Sequence, residues 1–158
     1  MGRNLALDPD VVRAKPTGGA EHLPEPWRTA VLTLLRESGC TIRRWRKAYT
    51  GRAYTREADW GIESPQPRGA KSFGIFAHEV AHQMLHRTNG KPRWQEEIEA
   101  WNWALACFDR FGLPGREPVE LWAHECVRYA LAKARRRAKT DATRAAIDAA
   151  ETAWREAA

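Results

Sequence analysis

Residues 78–82 read His-Glu-Val-Ala-His and lie within a run that also carries Phe73, Phe76, Val80 and Leu85. That combination constrains the chain to a helix at this point. Positions i and i+4 share one helix face with Cβ atoms about 5–6 Å apart, so His78 and His82 would converge there. The apolar residues around them mark a helix packed into a core. Burying two imidazoles and a carboxylate without partners is costly. The three side chains must therefore either be satisfied core groups or share a chemical task.

The task that suits these residue types at this spacing is metal-assisted hydrolysis. Two imidazoles a helical turn apart can bind one zinc ion at about 2.0–2.1 Å. Zinc lowers the pKa of water towards about 7. Glu79, one step round the helix from His78, can then act as the general base without being a ligand. Catalytic zinc sites usually take a third protein ligand. His86 is too far along a straight helix from His78, at about 12 Å of rise, to bind the same ion, and is expected to pack or support the ligands. Thr88 stands where a metzincin would place its third His. The helix that follows offers Glu96, Glu97 and Glu99. Returning antiparallel through Asn89-Gly90, it would present Glu99 as third ligand, with Glu96 as the alternative and Glu97 as a solvated charge.

The surrounding elements follow from local patterns. Pro9, Pro16, Gly18, Gly19 and Pro24 mark residues 1–25 as a loose lead-in. Trp27, Val31, Leu34 and Leu35 recur at helical spacing and Gly39 closes that helix. Between residues 40 and 63, Ile42, Trp45, Tyr49, Tyr54, Trp60 and Ile62 predict a β-hairpin or short meander, with Thr50-Gly51 between extended runs. The motif helix is predicted over 72–87 with Ser72 as N-cap. Further helices are expected from Pro92 to about Arg110, from Pro118 to about Lys139, and over 141–156.

Composition narrows the class. Of 158 residues, 43% are hydrophobic and 29% charged, a globular rather than disordered balance. Cys40, Cys107 and Cys126 are odd in number and lack C-x-x-C spacing, as expected of unlinked thiols in a reducing compartment. No stretch approaches the roughly 20 apolar residues of a membrane span, and the N-terminus lacks a signal-peptide pattern. A soluble cytoplasmic protein with no membrane partner is expected. The net charge of +6 concentrates in Arg43–Arg56 and Lys133–Lys139. These stretches could contact nucleic acid, although no nucleic-acid-binding signature accompanies them.

The segment Ala70–His86 resembles the ImmA/IrrE family of zinc metallopeptidases, which show a Phe and an Ala just before H-E-x-x-H and a further His four residues after it. Glu99-Ala100-Trp101-Asn102-Trp103-Ala104 is similar to the family's E-A-x-x-F-A segment, whose Glu is the third zinc ligand, and Gly112-Leu113-Pro114 is similar to its closing turn. The match covers roughly residues 55–114. Gly74-Ile75 and Ala81 depart from the family's usual residues. The resemblance implies an α+β, minimal gluzincin-like (zincin-like) domain over 26–158. An N-terminal helix and a small twisted sheet would pack on the motif helix, with a helical C-terminal extension over about 117–158. It also implies action in phage, mobile-element or stress regulation.

The expected activity is that of a zinc endopeptidase. One Zn²⁺ on His78, His82 and Glu99 would polarise the peptide carbonyl of a protein substrate bound as an extended strand, with Glu79 as base. Tyr54 and His124, with His86, are candidates for supporting the ligands or stabilising the transition state. The rival expectation is a non-proteolytic zinc-containing module that contacts nucleic acid or an acidic protein.

Overall fold

The computed structural model describes residues 17–55, 60–85 and 90–157. It has a mixed α+β architecture. Helix α1 spans Trp27–Ser38. Strands β1, β2 and β3 span Ile42–Arg46, Arg52–Tyr54 and Gly61–Pro65. Helices α2 to α5 span Ala70–Leu85, Arg93–Phe111, Arg116–Arg137 and Asp141–Glu156. Among the described residues no helix is long and apolar enough to cross a membrane.

Residues 40–63 do not form the expected hairpin. The sheet order is β1-β3-β2, with β3 parallel to β1 and antiparallel to β2. The charge pattern explains the insertion. The strands before and after Thr50-Gly51 carry Arg43, Arg44, Arg46 and Arg52 and no acid, so pairing them directly would set like charges against each other. β3 brings Glu63 between them. Its carboxylate accepts hydrogen bonds from Arg44 (3.2 Å), Arg46 Nε (2.8 Å) and the Tyr54 hydroxyl (3.2 Å). Burial alone would raise the Glu63 pKa, but these partners hold it below the usual carboxylate range. All five residues of β3 are buried, as befits a central strand.

The core joins α1, the inner face of the sheet and α2 to α5. Phe73 lies at its centre, with ring centroids 5.6 Å from Trp27 and 5.3 Å from Phe108. Gly74 lets α2 and α4 approach closely, because a Cβ there would sit 2.7 Å from Val119 Cγ1.

The lead-in is not loose throughout. Residues 1–16 lie outside the described residues, but Ala20–His22 forms a 3₁₀ turn, and Ala20 and Leu23 are buried in the core. The Trp45 indole N–H also donates to Gly18 O at 2.7 Å. Ser72 serves the start of α2 from inside the first turn. Its Oγ accepts from the backbone N–H groups of Arg68 and Gly69. The break between α4 and α5 falls at Ala138–Thr140, where Thr140 caps α5 by accepting from Thr143 N at 3.1 Å. The three cysteines are free thiols, and burial pushes Cys107 up to about 12 and Cys126 to about 11.

Candidate metal centre

Helix α2 is buried along most of its length, and His78, Glu79, His82 and Gln83 are all buried within it. The two imidazoles converge as their spacing requires, with Nε2 atoms 3.0 Å apart. Glu97 completes the cluster. Its Oε2 lies 3.3 Å from His78 Nε2 and its Oε1 lies 3.2 Å from His82 Nε2. The group His78, His82 and Glu97 could hold a metal ion.

The donor set fits an ion better than it fits its own hydrogen bonds. A tetrahedron with bonds of about 2.0–2.1 Å has edges of roughly 3.3–3.4 Å; here the imidazole nitrogens are 3.0 Å apart, and each lies 3.2–3.3 Å from its own Glu97 oxygen. Each neutral imidazole carries a single N–H. If both Nε2 atoms carry their N–H towards Glu97, two donors face each other at 3.0 Å; if one is bare, its contact with Glu97 sets acceptor against acceptor. His78 Nδ1 is buried with no hydrogen-bond partner. Burial lowers the His82 pKa, favouring the neutral, metal-ligating form. Glu97 would be raised by burial, but hydrogen bonds to His78 and His82 outweigh this and hold it well below the usual carboxylate range.

The third member of the candidate donor set is thus Glu97 and not the expected Glu99. On α3, Trp101, Ala104 and Phe108 are buried, and stepping back one turn from Trp101 reaches Glu97. Trp101 itself stacks on the His78 ring, with centroids 4.3 Å apart. Glu99 lies about 200° round from Glu97 at 100° per residue, on the side of exposed Ala106 and Arg110. It pairs with Lys91 at 2.7 Å. Glu96 is not in the cluster either. It pairs with Arg93 at 3.5 Å and lines the cleft beside the site. The apolar stripe of α3, extended towards its N-terminus, was a sequence signal that could have chosen Glu97.

Glu79 shares a cleft with the cluster. Burial raises its pKa to about 7, and it opens with His82 onto a cleft of about 330 Å³ lined also by Gly51, Arg52, Ala53, Thr55, Arg93 and Glu96. Two residues outside the motif set this geometry. The Gln83 amide donates to Tyr54 O (2.7 Å) and Gly61 O (2.9 Å), tying α2 to β2 and β3. Gly51 then lies so close to Glu79 that a Cβ would sit 2.5 Å from its Cγ and Oε1. Gly51, which the sequence suggested as a turn residue, is required for close approach. Gly51→Ala is expected to displace the Glu79 carboxylate; any hydrolytic turnover that depends on Glu79 should then fall by roughly tenfold or more, with metal-binding capacity unchanged. Parallel turnover and metal analysis on the variant checks this, and unaltered turnover would show that Glu79 does not act from this position.

The supporting candidates separate. The Tyr54 hydroxyl is engaged by Glu63, and its ring lies against the Arg43 and Arg52 guanidinium groups at 4.0 and 4.8 Å. His124 stacks on Trp154 at 4.7 Å, in the α4–α5 layer, and is absent from the cleft lining. His86 lies outside the described residues. Arg93 was not foreseen. Its guanidinium holds Glu97 Oε1 at 2.8 Å while remaining 70% exposed, so it both fixes the ligand and faces the cleft.

Compared with known protein families, curated proteins and solved structures, the chain matches none.

Proposed function

We propose that the protein is a zinc-dependent endopeptidase acting on an extended segment of another protein. The observation that carries this reading is the conjunction of a convergent His78–His82–Glu97 donor set with a buried, otherwise unused carboxylate, Glu79, at the mouth of a cleft. Imidazole and carboxylate donors in a near-tetrahedral arrangement favour zinc. The order of elements also suits a minimal zincin-like domain: a helix, a small sheet, the motif helix, then a helix bearing the third ligand. The resemblance of Ala70–Leu85 to the ImmA/IrrE motif supports the same reading. The shift of the third ligand to Glu97 departs from that family's pattern by two positions.

When bound, zinc would supply a Lewis acid that polarises the peptide carbonyl and acidifies water. The chain's own residues would do the rest. His78, His82 and Glu97 fix the ion, and Arg93 holds Glu97 in place. Glu79 accepts a proton from the attacking water as its oxygen bonds to the carbonyl carbon. The same proton then passes to the amide nitrogen as the C–N bond breaks. Strand β2 is a sheet edge, and Gly51, Arg52 and Ala53 line the cleft. A substrate strand can add there through backbone hydrogen bonds.

The test is metal removal and return. Purified protein should cleave unfolded casein, lose that activity on exhaustive dialysis against a chelator, and regain it with one equivalent of Zn²⁺ but not Mg²⁺. Cleavage that survives stripping with no residual metal would refute the reading.

A further inference from the structure

A second cavity begins where the metal site ends. It occupies about 760 Å³ between the start of α3 and the helices α4 and α5, within the size range of ligand-binding pockets. Glu97 and Arg93 belong to its lining, and Arg93 also lines the catalytic cleft. The two spaces therefore meet at Arg93, whose guanidinium also holds Glu97.

The groove is apolar because of the residues that form it. Ala130, Ala134 and Ala138 recur every four residues, leaving a shallow trough where longer side chains would fill the space. Trp94 and Ile147 supply further walls. The rim is basic. Lys133 and Arg137 are exposed and lie four residues apart on α4, an arrangement in which like charges repel. Among the described residues no ion pair joins either to a carboxylate. Glu125, the remaining acid in the lining, is paired with Arg128 at 2.9 Å.

We infer that this groove binds the substrate segment on one side of the scissile bond, and that it selects apolar side chains flanked by Asp or Glu. The inference rests on the endopeptidase reading and extends it to substrate class. Arg93, common to both linings, sets one end of the groove beside the cleft, and the unpaired cations of the rim supply the charge preference. A carboxylate between Lys133 and Arg137 would also relieve their mutual repulsion.

The test uses the full chain as its Zn²⁺-loaded Glu79→Gln variant, so that binding is measured without cleavage. Two fluorescein-labelled dodecapeptides share a Leu-Leu-Val centre and differ only in flanking Asp or flanking Lys residues. By fluorescence anisotropy the acidic peptide should bind at least roughly tenfold more tightly. Ala134→Trp, which fills the trough, should weaken it by a similar factor. The double variant Lys133→Glu/Arg137→Glu, confined to exposed positions, should abolish or reverse the preference. Zinc content should stay at one per chain throughout. Equal binding of the two peptides, or indifference to both changes, would overturn the inference. So would tighter binding of a short single-stranded oligonucleotide, which would assign the rim cations to nucleic acid. Failure of the wild type to cleave either peptide, with the preference intact, would sink the endopeptidase reading and leave the groove as a peptide site.

Discussion

Glu97→Ala is expected to abolish stoichiometric metal binding, while Glu99→Ala and Glu96→Ala leave it intact. Glu97 offers one oxygen to each imidazole, at 3.3 and 3.2 Å, and it is the sole negative charge in the cluster. Its removal leaves two neutral donors from a single helix, too few to hold zinc firmly. Changing an outer partner of a ligand typically costs about 10–100-fold in affinity, and losing a ligand should exceed that. The loss should also unbalance Arg93, whose guanidinium would be left at the mouth of the site without its 2.8 Å partner. Glu99 is engaged by Lys91 on another face of the helix, so its truncation should cost little. Elemental analysis after dialysis into metal-free buffer decides the matter. A zinc-loaded Glu97→Ala protein, or a metal-free Glu99→Ala protein, would reverse the assignment.

The second large effect is expected from Glu79→Gln. Glutamine matches glutamate in shape and fits the narrow space beside Gly51, so the fold and the three ligands should persist. It cannot accept the proton of the attacking water. General acid–base groups contribute about 10²–10⁴-fold, and the loss of turnover should fall in that range while zinc remains at one per chain. Burial favours the protonated form of Glu79, with a pKa of about 7, so a cation nearby is what would keep it ionised and competent. A variant that retained both zinc and full activity would assign the ion a structural role and favour the binding-module alternative.

How much of this was legible in the sequence depended on how local the cause was. The helices were readable because period, caps and glycine stops are local. Trp27 to Ser38 ends at Gly39 with φ 67°, and Arg93 to Phe111 ends at Gly112 with φ 60°. His78, Glu79 and His82 were readable because their relative placement is dictated by one helix. Sheet order was not, since it depends on Glu63 meeting arginines 17 and 19 residues away. The third member of the candidate donor set, Glu97 in place of the expected Glu99, escaped the sequence for a related reason. Its choice depends on which face of α3 meets α2, and the resemblance to E-A-x-x-F-A outweighed the apolar stripe that marks that face. Gln83 and Arg93 carry no motif, and their roles emerge only when the sheet and α3 are in place.

Strand β2 has three residues, and that brevity would limit how it could recognise a polypeptide. So short a ledge presents few main-chain donors and acceptors to an incoming polypeptide, too few to grip it on their own. A short margin is also one way proteins keep identical copies from zipping together side by side. On the proposed reading, a tight and selective hold on a target would have to draw on the molecule beyond the ledge, where helices rather than strands would meet the visitor.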